Sequence, residues 1–195
     1  MDRLKIVFRP LIFPLESLLS KIEDGDRVFD IGCGSGQFLL LVAEFKKPGK
    51  VSGIEINDRL INNAKNLFSN YQKDTDFSFS TYDGEDFPSE IKEYNKIYLN
   101  DVFHHVPKKL QIRFLETIYN SLSKGSVFVL KDINKSSPLV YFNKLHDIIF
   151  AGEIGNEMKY NDAYYLLKNL GFEIVSTHKE RIFLYPHYII TCKKV

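Results

Sequence analysis

Apolar residues recur along this chain with two alternating periods. Short, nearly continuous runs lie at about Arg27–Ile31, Val51–Ile56, Phe77–Thr81, Lys96–Asn100 and Ser126–Lys131. Each predicts a strand, bounded by turn or helix signals. Between them the apolar spacing is helical. Leu15, Leu18, Leu19 and Ile22 fall on one helical face, with Pro14 suited to the first turn. Phe38–Val42 continues a helix expected over Gly36–Phe45. Asp58 reads as the N-cap of a helix that turns Ile61, Ala64, Leu67 and Phe68 inward. Pro107 opens a helix whose buried face is Leu110, Phe114, Leu115, Ile118 and Leu122, ended by Gly125. Ser137-Pro138 starts a helix to about Phe150, and a further helix from about Asn161 to Leu170 stops at Gly171. The last two apolar runs, Phe172–His178 and His187–Cys192, are close enough to pair as an antiparallel hairpin. Strands alternating with amphipathic helices predict an α/β doubly wound sheet of about seven strands, five parallel units closed by a C-terminal antiparallel hairpin.

Length and charge narrow this picture. The 195 residues suit one domain with a sizeable core. Residues 1–23 form a helical extension before it. Lys+Arg 26 against Asp+Glu 25 leaves a formal charge of +1, so no nucleic-acid partner is expected. Ile6-Val7-Phe8 and Leu11-Ile12-Phe13 are broken by Arg9, Pro10, Pro14 and Glu16, which is too early for a signal h-region or a membrane span. Cys33 and Cys192 make no disulfide framework, and a cytoplasmic location fits.

The chemistry concentrates in Asp30-Ile31-Gly32-Cys33-Gly34-Ser35-Gly36. An apolar strand enters this stretch and an apolar helix leaves it. Glycines let the backbone bend sharply and approach a ligand, and free N–H groups at the new helix end can face an anionic group. A dinucleotide fingerprint would place its last glycine at Gln37, which argues against a nicotinamide oxidoreductase.

The Asp-x-Gly-x-Gly-x-Gly pattern resembles motif I of class I S-adenosyl-L-methionine (SAM) dependent methyltransferases, of the small-molecule, type 11/12-like group. The resemblance covers about Asp24 to the C-terminus and implies a Rossmann-like fold with SAM as cofactor. It also implies roles at successive strand ends. Asp30, Gly32, Cys33, Gly34 and Gly36 cradle the methionine end. Glu55, followed by Ile56, accepts hydrogen bonds from the ribose diol. Asp83 meets the adenine amino group, with the N–H of Gly84 on a ring nitrogen. A backbone carbonyl near Asn100 holds the methionine ammonium.

The segment from Asn100 to Pro107 lies where acceptor chemistry is expected. It lacks the Asn/Asp-Pro-Pro-aromatic motif of methyltransferases acting on planar amines. His104 and His105 are candidate general bases near neutral pH, with Asp101 beside them. Some ubiquinone-pathway O-methyltransferases carry an acidic-x-x-acidic-His metal cluster here. His104 replaces its second acid, and no metal ligand is assigned. RNA 2′-O-methyltransferases place a Lys near Lys131, but the contexts of Lys5 and Glu180 do not match that tetrad. The segment 136–161, with Phe142, His146, Phe150 and Tyr160, is expected to form a lid over an aromatic or apolar acceptor. The resulting expectation is methyl transfer to a small-molecule acceptor, with O-methylation favoured. The alternatives are an RNA or protein methyltransferase, or a SAM-binding subunit without catalysis. The oligomeric state does not follow from these residues.

Overall fold

The computed structural model describes residues 14–71, 75–134, 155–182 and 185–195. The expected helix to Phe150 and the expected lid, as far as residue 154, lie outside the described residues. So do residues 1–13 of the extension.

The elements, in chain order, are α1 (Leu15–Leu19), β1 (Arg27–Ile31), α2 (Gln37–Phe45), β2 (Lys50–Glu55), α3 (Asp58–Ser69), β3 (Phe77–Thr81), β4 (Lys96–Asn100), α4 (Gln111–Ser121), β5 (Val127–Ile133), α5 (Tyr160–Asn169), β6 (Phe172–Ile182) and β7 (Tyr185–Lys194). One sheet of seven strands runs β3-β2-β1-β4-β5-β7-β6. The first five are parallel, and β7 is antiparallel to both β5 and β6. The hairpin therefore closes the sheet by inserting its second strand, not its first, next to β5.

Central strands read as continuous apolar runs because both faces are covered. Successive side chains point to opposite faces. Phe29, Ile97, Phe128 and Ile190 pack with Leu115 and Ile118 of α4 and Ala163 and Leu167 of α5. Val28, Tyr98, Val129 and Ile189 pack on the other face with Leu18 and Ile22 around α1 and with Phe38, Leu39 and Val42 of α2.

Three local expectations are corrected. Asn57, not Asp58, caps α3: its side-chain oxygen accepts from Arg59 N at 3.0 Å, while Asp58 receives a hydrogen bond from the Thr81 hydroxyl. Leu110 is 43% exposed, because a 3₁₀ turn over Lys108–Leu110 precedes α4. The buried place falls to Gln111, whose Nε2 donates to Phe103 O and to Asn156 O. The fifth strand is also longer than its apolar run. Lys131, Asp132 and Ile133 pair with Ile189, Tyr188 and His187 of β7, which draws two charged residues into the sheet.

The Tyr98 hydroxyl, buried on the α1 side, donates to Leu18 O at 3.0 Å and so ties α1 to the middle of the sheet. Tyr98→Phe is expected to lower stability by about 1 kcal/mol, the net worth of one such bond. Urea unfolding checks this, and an unchanged midpoint would mean that α1 is held by apolar packing alone.

Candidate functional site

The strand order reverses between β1 and β4, so their carboxyl ends diverge into a crevice where ligands of open α/β sheets bind. β1 delivers Asp30 there, buried, and the chain turns through Gly32–Gly36 into α2. Ile54 O of β2 accepts from Gly32 N at 2.8 Å and from Cys33 N at 2.9 Å, which pins the turn. Gly32 has φ +74°, and a Cβ there would stand 2.4 Å from a Val102 methyl carbon. Gly34 differs: at φ +54° a Cβ would meet no atom within 4 Å, so the space beside it is open. Its N–H donates to Glu55 Oε2 at 3.1 Å, and Asn57 N donates to Glu55 Oε1 at 3.2 Å. A carboxylate offers about four lone-pair directions, so Glu55 keeps acceptor capacity on both oxygens.

The end of β3 joins this edge through Tyr82 N, which donates to Glu55 O at 3.1 Å. Asp83 Oδ1 accepts from Glu85 N and Asp86 N, and these backbone bonds hold its carboxyl below the usual range. Gly84 follows it in this exposed turn. Ile56 is 67% exposed, an apolar plate between the β2 and β3 ends. The Cys33 thiol is buried, and burial followed by the nearby Asp30 and Glu55 carboxylates pushes it well up, so it stays protonated and is no nucleophile.

On the far side of the crevice Asn100 Nδ2 donates to Asp30 Oδ1 at 3.2 Å, while Asn100 Oδ1 is buried with no partner among the described residues. Asp101 follows at φ +55°, the one positive φ outside glycine among the described residues. Such a backbone persists where its surroundings over-determine it. Here Asp101 N donates to Lys131 O, and its Oδ2 receives the Lys131 ammonium. Asp101 Oδ1 is buried and has no partner among the described residues. Burial alone would raise this carboxyl, but the charge of Lys131, then His187 and His104, outweighs it and holds the group at about 2.

A 3₁₀ turn over Phe103–His105 places the two histidines differently. His104 is buried. Its backbone N donates to Asp132 Oδ2 at 2.9 Å, and its Nδ1 lies 2.5 Å from Asp132 Oδ1. An Nδ1–H given to Asp132 makes Nε2 the basic nitrogen of that ring. His105 is exposed, its ring centroid 4.1 Å from that of His104. Asn156 N donates to His104 O at 2.6 Å, so the chain at 155–158 packs against this turn. Among the described residues no group of three or more His, Cys, Asp or Glu is arranged to hold a metal ion.

Every predicted site residue thus lies on the carboxyl side of the parallel strands. The expected base pair of histidines divides into one buried ring and one exposed ring. Lys131 and Asp132 enter the site with more weight than their sequence suggests. Their only signal is a charged pair at the end of an apolar run.

A family profile described as a methyltransferase domain matches residues 4–177. The chain belongs to this methyltransferase family. Its cofactor is SAM, and it carries a SAM-dependent methyltransferase domain. The chain is 27% identical over 163 residues to the candidate methyltransferase 235L of Invertebrate iridescent virus 6, covering 74% of this chain and 60% of the viral protein. It is 24% identical over 119 residues to carboxy-S-adenosyl-L-methionine synthase of Campylobacter curvus, covering 60% of this chain and 49% of the synthase. The chain therefore spans about half to three fifths of the length of these two relatives. The crystal structure of a SAM-dependent methyltransferase from Aquifex aeolicus superposes with a TM-score of 0.75 at 16% identity, covering 100% of this chain and 96% of that one.

Asp101→Asn removes the carboxylate that the buried Lys131 ammonium contacts and should cost about 1.5–3 kcal/mol, the scale of a hydrogen bond to a charged group. The pH dependence follows the sign of the depressed carboxyl. Its stabilisation is present above the ordinary value of 3.8 and is lost as pH falls through about 2. Denaturation midpoints of wild type and variant should therefore converge across that acid window. Parallel curves down to the lowest pH would show that Asp101 carries no such linkage.

Proposed function

We propose that the protein transfers the methyl group of SAM to a small-molecule acceptor, with a hydroxyl favoured as the acceptor group. The observation that carries this reading is the pairing of His104 with Asp132 beside Asp101, whose Oδ1 is buried and has no partner among the described residues. The donor set fits the cofactor. Glu55 keeps lone pairs for a ribose diol, the open space beside Gly34 admits a ligand, and the exposed Ile56 can cover an adenine face next to Asp83 and Gly84. In this reading Asp30, Gly32, Cys33, Gly34, Gly36 and Asn100 hold the methionine end. Bound SAM supplies an electrophilic methyl group.

The chain's own residues then have to align the acceptor and move a proton. Asp101, ionised throughout the physiological range, accepts a hydrogen bond from the acceptor's O–H and fixes its direction. Lys131 keeps that carboxylate in place. Asp132 orients His104 through its ring and its backbone N–H. The exposed His105, its ring tilted against that of His104, takes the acceptor proton as the methyl group arrives. Alignment supplies the larger share of the acceleration, because an in-line displacement needs little else from the protein.

A panel of hydroxyl, amine and RNA acceptors with methyl-labelled SAM tests the proposal. Label on small hydroxyl compounds is the expected outcome, and label confined to RNA or protein would overturn it. Glu55→Ala should weaken SAM binding by about 1.5–3 kcal/mol, the scale of a charge-assisted hydrogen bond. Calorimetry measures this, and unchanged affinity would remove Glu55 from the ribose site. His105→Ala should lower kcat by about 10²–10⁴-fold with SAM affinity unchanged. An unaltered pH–rate profile in that variant would rule out His105 as the base.

A further inference from the structure

A second cavity, of about 190 Å³, lies away from the crevice between α1 and the β6–β7 hairpin. Ser17 and Lys21 line it from the helical side, and Ser176, His178, Ile189 and Thr191 from the strands. One water occupies about 30 Å³ of liquid, so there is room for a group of several heavy atoms. Thr191 lies four residues along β7 from His187, roughly 13 Å at strand rise, which separates this cavity from the candidate catalytic groups.

The cavity wall carries one ammonium and several hydroxyls but no carboxylate. Lys21 is half-buried, and its ammonium makes no ion pair or hydrogen bond among the described residues. A partly desolvated ammonium without a counter-charge is costly. Thr191 lines the cavity and is 4% exposed, and its buried hydroxyl has no partner among the described residues. Buried polar atoms in folded proteins are nearly always bonded, so such a group calls for an explanation. Ser176 faces Thr191 across the β6–β7 pair. The nearby carboxylate, Glu180, is already engaged. It accepts from Ser17 Oγ at 3.1 Å and lies 3.5 Å from His178 Nε2. A negatively charged acceptor would meet the Lys21 ammonium, and the hydroxyls can turn to donate to it.

We propose that this cavity is a binding site for a small oxyanion, a phosphate or carboxylate group, held by the Lys21 ammonium and the hydroxyls of Thr191 and Ser176. It does not depend on the acceptor chemistry proposed above.

The test is calorimetric titration of the full chain with inorganic phosphate and, separately, with acetate. The wild type, Lys21→Gln and Thr191→Val are compared. Val is close to isosteric with Thr, and Lys21 is only half-buried, so both variants should fold, which circular dichroism checks. Saturable binding of either anion, weakened about tenfold in both variants while SAM affinity is unchanged, is the expected result. The tighter anion identifies the group. No saturable binding of either anion, or equal binding in wild type and Lys21→Gln, would overturn the proposal. The Lys21 arm decides alone if Thr191→Val unfolds.

Discussion

The parallel pairing of β1 with β4 is the constraint on which the site depends. Val28 to Ile31 lie in register with Lys96 to Leu99, and beyond Ile31 and Asn100 the chain leaves the sheet in opposite directions. No connection crosses that gap, so a crevice opens at the one place where the strand order reverses. The Asn100–Asp30 hydrogen bond spans it and fixes the relative height of the two strand ends. Everything said of ligand binding follows from that opening. The glycine turn leaves β1 on one side, and the Asp101–His105 segment leaves β4 on the other.

The same opening explains why charged groups survive in the interior. Lys131 and Asp132 would be a liability in the middle of a covered strand, since unpaired charge costs several kcal/mol in low dielectric. At the carboxyl end of β5 each meets its complement at once. Lys131 finds Asp101 on one face, and Asp132 finds both the ring and the backbone N–H of His104 on the other. His187 of β7, on the Lys131 face, adds to the charge that keeps Asp101 ionised. These pairs are poor evidence of stabilisation but good evidence of preorganisation, because they lock carboxylate and imidazole before any ligand arrives.

A fold of this class is shared among proteins of different chemistry, so architecture alone does not choose an acceptor. The choice of acceptor turns instead on particular atoms: a buried carboxylate oxygen without a donor among the described residues, and an exposed imidazole beside a buried one. Their arrangement suits a small group that brings its own proton.

The sequence by itself determined the period of each element and the chemistry of the turn. The apolar runs fixed five parallel strands and a closing hairpin, because strands covered on both faces have to be apolar throughout. The glycines at 32, 34 and 36 fixed the turn, because the backbone there lies where a side chain is strained. Glu55, Asp83 and Asn100 could be read as strand-end residues from their position alone. Tertiary structure decided what local pattern cannot encode. It put Gln111 in the place expected of Leu110, because a 3₁₀ turn precedes α4 and the carbonyls of Phe103 and Asn156 take the Gln111 amide as their donor. It lengthened β5 past Lys131 to Asp132 and Ile133, because β7 pairs there from some sixty residues away. It also divided two adjacent histidines into a buried, carboxylate-bound ring and an exposed one. Neighbours in sequence share a composition, but which of them meets Asp132 depends on where β5 lies beside β4, and only the packed sheet settles that.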